Sequence, residues 1–205
     1  MRVTNSMLIS TFLNNLNKNT KGMEKYQRQL SSNSRLARLS DDPIGVINVL
    51  GVKSKIRKLA QYQNNVDDAR AWLTQTETAV LEINNVIKST YEQALQVANG
   101  TNSTEEYDAV LSYVTQMRNH IIQIANSTYG EKYIFGGYNT SKTPIVDDSG
   151  TLKYNGYDLY TMSDTIAEEL KNQIIQYDIG SGLKTDVSVS GVELLGYGDN
   201  NIIKI

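Results

Sequence analysis

Few residues in this chain could carry acid–base or covalent chemistry, and their spacing points away from it. Asp41 and Asp42 are adjacent carboxylates, from which a general acid and a general base could be drawn. They stand before Pro43, however. Asp is a good helix cap, and Pro at the first helical position loses no needed N–H while presetting φ. Asp42 is therefore expected to cap a helix. His120 is the one histidine, and a single imidazole builds neither a metal site nor a triad. Asp147-Asp148-Ser149-Gly150 resembles the start of a calcium loop, but the later ligand positions and the closing Glu are missing, so a plain turn is expected. There is no cysteine, which excludes disulfides, thiolate metal sites and Cys nucleophiles. Neither a phosphate-binding glycine loop, nor HExxH, nor GxSxG occurs. Sequons at Asn99, Asn102, Asn126 and Asn139 are a by-product of an Asn/Thr-rich chain. No catalytic group, cofactor or metal is expected, so the chemistry to explain is non-covalent.

The elements that would position such contacts are helical. Leu59, Tyr62, Val66, Ala69, Leu73, Thr76, Val80, Ile83, Ile87, Thr90, Ala94 and Val97 alternate steps of three and four. That is the seam of a helix packed along its length against partner helices. No Pro or Gly lies between Gly51 and Gly100, and a continuous helix there would span about 70 Å. Residues 5–30 repeat the spacing more thinly at Ile9, Phe12, Leu16, Asn19, Met23, Tyr26 and Leu30. With Asn, Gln, Lys and Thr on its other face, this segment should be marginal alone and become helical when a partner covers it.

The long helix is expected to start at Pro43, with Gly45 and Gly51 loosening its first turns, and to stop at Asn99-Gly100. Ser103-Thr-Glu-Glu106 is a capping box opening another helix, with a seam at Tyr107, Val110, Val114, Met117, Ile121, Ile124 and Thr128. A short connection makes the pair an antiparallel hairpin. After Gly130 the pattern turns to short strands at Lys132–Phe135, 151–154, Ile174–Ile179 and Asp186–Val189. An Asn155-Gly156 hairpin turn and a short helix within Ser163–Asn172 complete it. Ile202–Ile205 reads as the first turn of a further helix. The fold class expected is α+β: a long antiparallel α-helical rod with a small β-rich domain at its end. The expected segments are an assembly arm (1–42), a helical hairpin (43–130) and an outer domain (131–205).

Charge is polarised. Residues 1–58 hold eleven Lys/Arg against three Asp/Glu, net +8, whereas residues 131–205 hold six against eleven, net −5. A basic arm can address nucleic acid, an anionic membrane or an acidic protein; acidic protein partners are the reading adopted, with neither nucleic acid nor membrane expected. The first fifteen residues lack the apolar core of a conventional signal peptide, and no run approaches a membrane span.

These residues together resemble the bacterial flagellin family. The resemblance begins at Met1-Arg2-Val3 and continues through Leu39-Ser40-Asp41-Asp42-Pro43-Ile44 and Ala98-Asn99-Gly100-Thr101. Its most telling block runs from Ala125 to Tyr138 and contains Tyr133-Ile134-Phe135-Gly136-Gly137-Tyr138. That block, with Pro43 where flagellins usually have Ala, points to the hook–filament junction branch of the family rather than to the filament subunit. The alternatives are the filament subunit itself and a helical binding or adaptor module. The resemblance implies an axial structural protein, exported unfolded through the flagellar type III apparatus with a chaperone. It further implies a homo-oligomeric ring between a hook-associated protein and flagellin, and a C-terminal helix that would begin where this sequence stops. The assembly surface expected comprises Ile9, Phe12, Leu16, Met23, Tyr26 and Leu30; Leu59, Val66, Leu73, Val80, Ile83 and Ile87; and Val114, Ile121 and Ile124. Asp42, Ser103 and Glu106 are the expected caps.

Overall fold

The computed structural model describes residues 5–36, 38, 40, 42–100, 103–148 and 150–203. The chain is α+β, with long helices first and small antiparallel sheets after them. Two compact units are present, Met1–Leu59 and Ala60–Ile205, so the division falls inside the longest helix.

In the first unit, α1 runs Asn5–Ser32, and none of its residues is buried. Its backbone is nonetheless helical throughout. Thr11 and Thr20 donate back to the carbonyls of Met7 and Leu16, and Arg28 pairs with Glu24. Asn33 adopts φ 48° after the last turn, where the Ser34 N–H bonds Gln29 O and the Asn33 N–H bonds Leu30 O. This is a Schellman stop built on Asn.

Helix α2 spans Pro43–Asn99, the start and stop its sequence signals require. Asp42 caps it: its Oδ1 accepts from the Gly45 N–H at 2.9 Å. A Cβ on Gly45 would collide with the Asp42 carboxylate, so glycine makes room for the cap.

In the second unit, α3 spans Thr104–Ala125 behind a complete capping box of Ser103 and Glu106. It runs antiparallel to α2. Tyr113 donates to Ser89 Oγ at 3.4 Å, and His120 Nε2 lies 3.5 Å from Glu82. Moving seven residues up one helix thus moves seven down the other.

After α3, β1 (Thr128–Tyr129) and β2 (Lys132–Tyr133) form a hairpin. Its two turn residues, Gly130 and Glu131, both have positive φ, as a type I′ turn demands. The expected strand at Lys132–Phe135 is therefore cut to two residues: Ile134 and Phe135 leave the ladder and are wholly buried. Strands β3 (Ile145–Asp148), β4 (Thr151–Tyr154) and β5 (Tyr157–Asp158) make an antiparallel sheet with β4 central. Asn155-Gly156 supplies the expected turn, with φ 49° and 91°. Then come α4 (Asp164–Lys171), β6 (Gln176–Gly180), β7 (Leu183–Asp186) and α5 (Gly191–Leu195). The last strand was expected at Asp186–Val189. It falls earlier because Gly182, at φ 76°, turns the chain and pairs Gly180 with Leu183. Val187 and Ser188 are buried instead.

One core joins these pieces. Phe135, Tyr154, Leu159, Val192 and Leu195 are buried together with Ile121 and Ile124 of α3 and Ala69, Trp72, Ala79, Ile83 and Val86 of α2. Tyr154 is its polar anchor: the hydroxyl donates to Phe135 O at 2.9 Å and accepts from the Gly191 N–H at 3.3 Å. Burial pushes the Tyr154 hydroxyl pKa upward.

Candidate assembly surface

Helix α2 carries two apolar stripes, and the expected seam mixes them. The inner stripe is Ala69, Trp72, Thr76, Ala79, Ile83 and Val86, again stepping three and four. Trp72 is 4 % exposed and meets Tyr129 edge-on, ring centroids 6.0 Å apart. The Asn65 side chain bonds Asp178 O at 2.7 Å, tying β6 to the same helix.

The outer stripe, in the second unit, is Val66, Leu73, Val80 and Ile87, spaced by seven and 37–41 % exposed; Leu59, in the first unit, is 64 % exposed. Ile83 lies within the expected seam but belongs to the inner stripe, as do Ala69 and Thr76. Ile121 and Ile124 are also buried inside this chain, and Val114 is half-buried. Ile83, Ile121 and Ile124 thus serve internal packing and are withdrawn from the surface. Trp72, Ala79 and Val86 were missed, although the 3-4 stepping can equally be read from Ala69 through Trp72. On α1, Ile9, Phe12, Leu16, Met23, Tyr26 and Leu30 are each more than half exposed.

Two grooves follow the outer stripe in the second unit. One, of about 320 Å³, lies between Val66, Arg70 and Leu73 of α2 and Ile179 and Thr185 of the β6–β7 hairpin. The other, of about 230 Å³, is lined by Ile87 and Tyr91 of α2, Val114 and Met117 of α3, and Ile202 and Ile203. The last two form a turn, not a helix; Lys204 and Ile205 lie outside the described residues.

Asp42, His120, Asp147 and Asp148, among the groups that first suggested chemistry, are engaged structurally. Asp147 Oδ2 accepts from Arg118 at 2.5 Å and its Oδ1 from the Gly150 N–H at 3.0 Å. Both oxygens are occupied, and the Arg118 guanidinium holds the Asp147 carboxyl below its ordinary range. Asp148 pairs with Lys153. Asp41 and Ser149 lie outside the described residues. Among the described residues no three His, Asp or Glu gather to hold a metal, and no helix is long and apolar enough to cross a membrane. Lys53, Lys55, Arg57 and Lys58 are exposed and have no ion-pair partner among the described residues.

Long helices that leave heptad-spaced apolar residues uncovered, followed by small antiparallel sheets, define the class of fold. The profile of the bacterial flagellin N-terminal helical region matches residues 3–140. The chain belongs to that family. It is 29 % identical over 200 residues to flagellin of Salmonella typhimurium strain LT2, covering 97 % of this chain and 38 % of that protein. It is 25 % identical over 175 residues to flagellar hook-associated protein 3 of Escherichia coli strain K12, covering 85 % of this chain and 52 % of that protein. The chain therefore spans between about two fifths and about half of these relatives. Its fold is shared with a solved flagellar hook-associated protein structure from Vibrio parahaemolyticus, at TM-score 0.66 and 23 % identity, covering 81 % of this chain and 69 % of that one. It is shared also with flagellar hook-associated protein-3 from Legionella pneumophila, at TM-score 0.59 and 20 % identity, covering 70 % and 40 %.

Proposed function

We propose that this chain is a structural, non-catalytic part of the bacterial flagellum, resembling hook-associated protein 3, that builds the junction between hook and filament. The observation that carries this reading is the outer stripe of α2. Four apolar residues at seven-residue spacing are left uncovered by the second unit's own core, and a stripe of that period suits a partner helix. The α1 seam offers a second such surface.

In this reading, copies form a ring with flagellin on one side and another hook-associated protein on the other. Export is through the flagellar type III apparatus with a chaperone. The basic cluster at Lys53–Lys58 faces acidic protein surfaces. The three segments then divide the labour: residues 1–42 toward the inner tube, 43–130 as wall, 131–205 outward. Deleting the gene tests it. Cells should keep hooks, lack filaments and lose flagellin to the medium; normal filaments would refute the junction role.

The second reading is the filament subunit, favoured by the slightly higher identity to flagellins. Copy number separates the two: a filament subunit dominates a filament preparation, and a junction protein is scarce in it.

A further inference from the structure

The chain contains two Asn-Gly pairs, Asn99-Gly100 and Asn155-Gly156, and the fold treats them oppositely. We propose that Asn99 is a site of spontaneous deamidation, and that the fold shields Asn155 from the same reaction.

The chemistry needs only water and base. The backbone nitrogen of the following residue gives its proton to hydroxide or a buffer base and attacks the Asn side-chain Cγ. The new C–N bond closes a succinimide ring. The Cγ–Nδ2 bond breaks, and that nitrogen takes a proton from solvent and leaves as ammonia. Water then opens the ring at either carbonyl, giving an aspartyl or an isoaspartyl residue. Glycine in the following position favours the attack because no Cβ shields the nitrogen or restricts its backbone.

At Asn155 both ends of the carboxamide are held. Oδ1 accepts from Asn139 at 3.0 Å, and Nδ2 donates to Gly136 O at 3.1 Å. The Asn155 backbone N–H is fixed as well, on Pro144 O at 2.8 Å. Cγ cannot swing onto Gly156 nitrogen without losing both side-chain bonds. Asn99 is held more loosely. It is the last residue of α2 and is exposed. Its only side-chain bond among the described residues is from Nδ2 to Leu95 O, 3.0 Å, and within them nothing donates to Oδ1. Among the described residues the attacking nitrogen, on Gly100, is tied to Val97 O alone, at 3.4 Å, beyond the usual N–H···O range. Helix ends open first, which gives this pair the backbone freedom that ring closure requires.

The product places a carboxylate at the C-terminal end of α2, where the helix dipole is already negative. It also removes the donor to Leu95 O. The isoaspartyl form adds a backbone methylene at the start of the connection to α3. Deamidation here therefore loosens the α2–α3 hairpin.

The test is peptide mapping by mass spectrometry of the folded full chain, held at mildly alkaline pH, with isoaspartyl methylation as a second readout. Position 99 should react ahead of position 155 by about tenfold or more, the worth of two ordinary hydrogen bonds. In urea the two positions should react alike, and Asn99→Gln should remove most of the folded-state signal. Two results overturn the proposal: equal rates at the two positions in the folded chain, or a position 99 that reacts only in urea.

Discussion

Asn126 and Ile145 exchange two hydrogen bonds: the Asn126 Nδ2 donates to Ile145 O at 2.8 Å, and the Ile145 N–H donates to Asn126 Oδ1 at 3.1 Å. The carboxamide imitates a strand partner and fastens the first residue of β3 to the end of α3. Asn126→Ala should leave a buried backbone donor and acceptor unpaired, costing about 1–3 kcal/mol. A urea titration followed by circular dichroism would show the midpoint falling. An unchanged midpoint would mean that water replaces the side chain without loss.

The two stripes of α2 should separate stability from assembly. Ile83→Ala opens a cavity in the inner stripe and should cost about 2–5 kcal/mol of unfolding free energy. Leu73→Ser lies on the outer stripe and should cost under about 1 kcal/mol, yet weaken self-association in sedimentation. Loss of comparable stability in both variants would contradict the division.

Gly191 approaches the Tyr154 ring so closely that an added Cβ would overlap it. Gly191→Ala should destabilise the β-rich end by more than Tyr154→Phe does. The latter removes only the hydroxyl's bonds, about 1 kcal/mol or somewhat more. Fluorescence of Trp72, the sole tryptophan, reports unfolding in both variants. The reverse order would show that the backbone at 191 yields readily.

Asp147 gives the acid side of the stability profile a definite sign. Its carboxyl is held below the ordinary value of 3.8 by Arg118. The stability it contributes is fully present above 3.8 and is lost as pH falls through the lower, folded-state value. Asp147→Asn should lower the melting temperature at neutral pH, and the gap should close as the medium becomes more acid than 3.8. A gap that persists undiminished in acid would remove the ion pair from the account.

Helix boundaries were legible in the sequence because each had a local chemical cause. Asp42-Pro43, Ser103 with Glu106, and Asn99-Gly100 cap or stop their helices whatever lies around them. Asn155-Gly156 was legible for the same reason. The faces were less so. A 3-4 series read from Leu59 and one read from Ala69 share Ala69, Thr76 and Ile83, and only tertiary contact decides which neighbours turn inward. Trp72 was passed over for Leu73 because periodicity weighs size and apolarity, not which side α3 and Tyr129 approach from. The Tyr-Ile-Phe-Gly-Gly-Tyr block was recognised as a signature, but its physical role emerged only in the fold. Ile134 and Phe135 fill the core, and a Cβ on Gly136 would overlap Asn139 O.

The outer stripe has a consequence for handedness. An α-helix repeats every 3.6 residues, so side chains placed seven apart drift by about 20° at each step. From Val66 through Leu73 and Val80 to Ile87 the stripe therefore rotates about 60° around α2. A straight neighbour would meet its beginning and slip off its end. Whatever polypeptide covers this face along its length must wind around it as a left-handed supercoil.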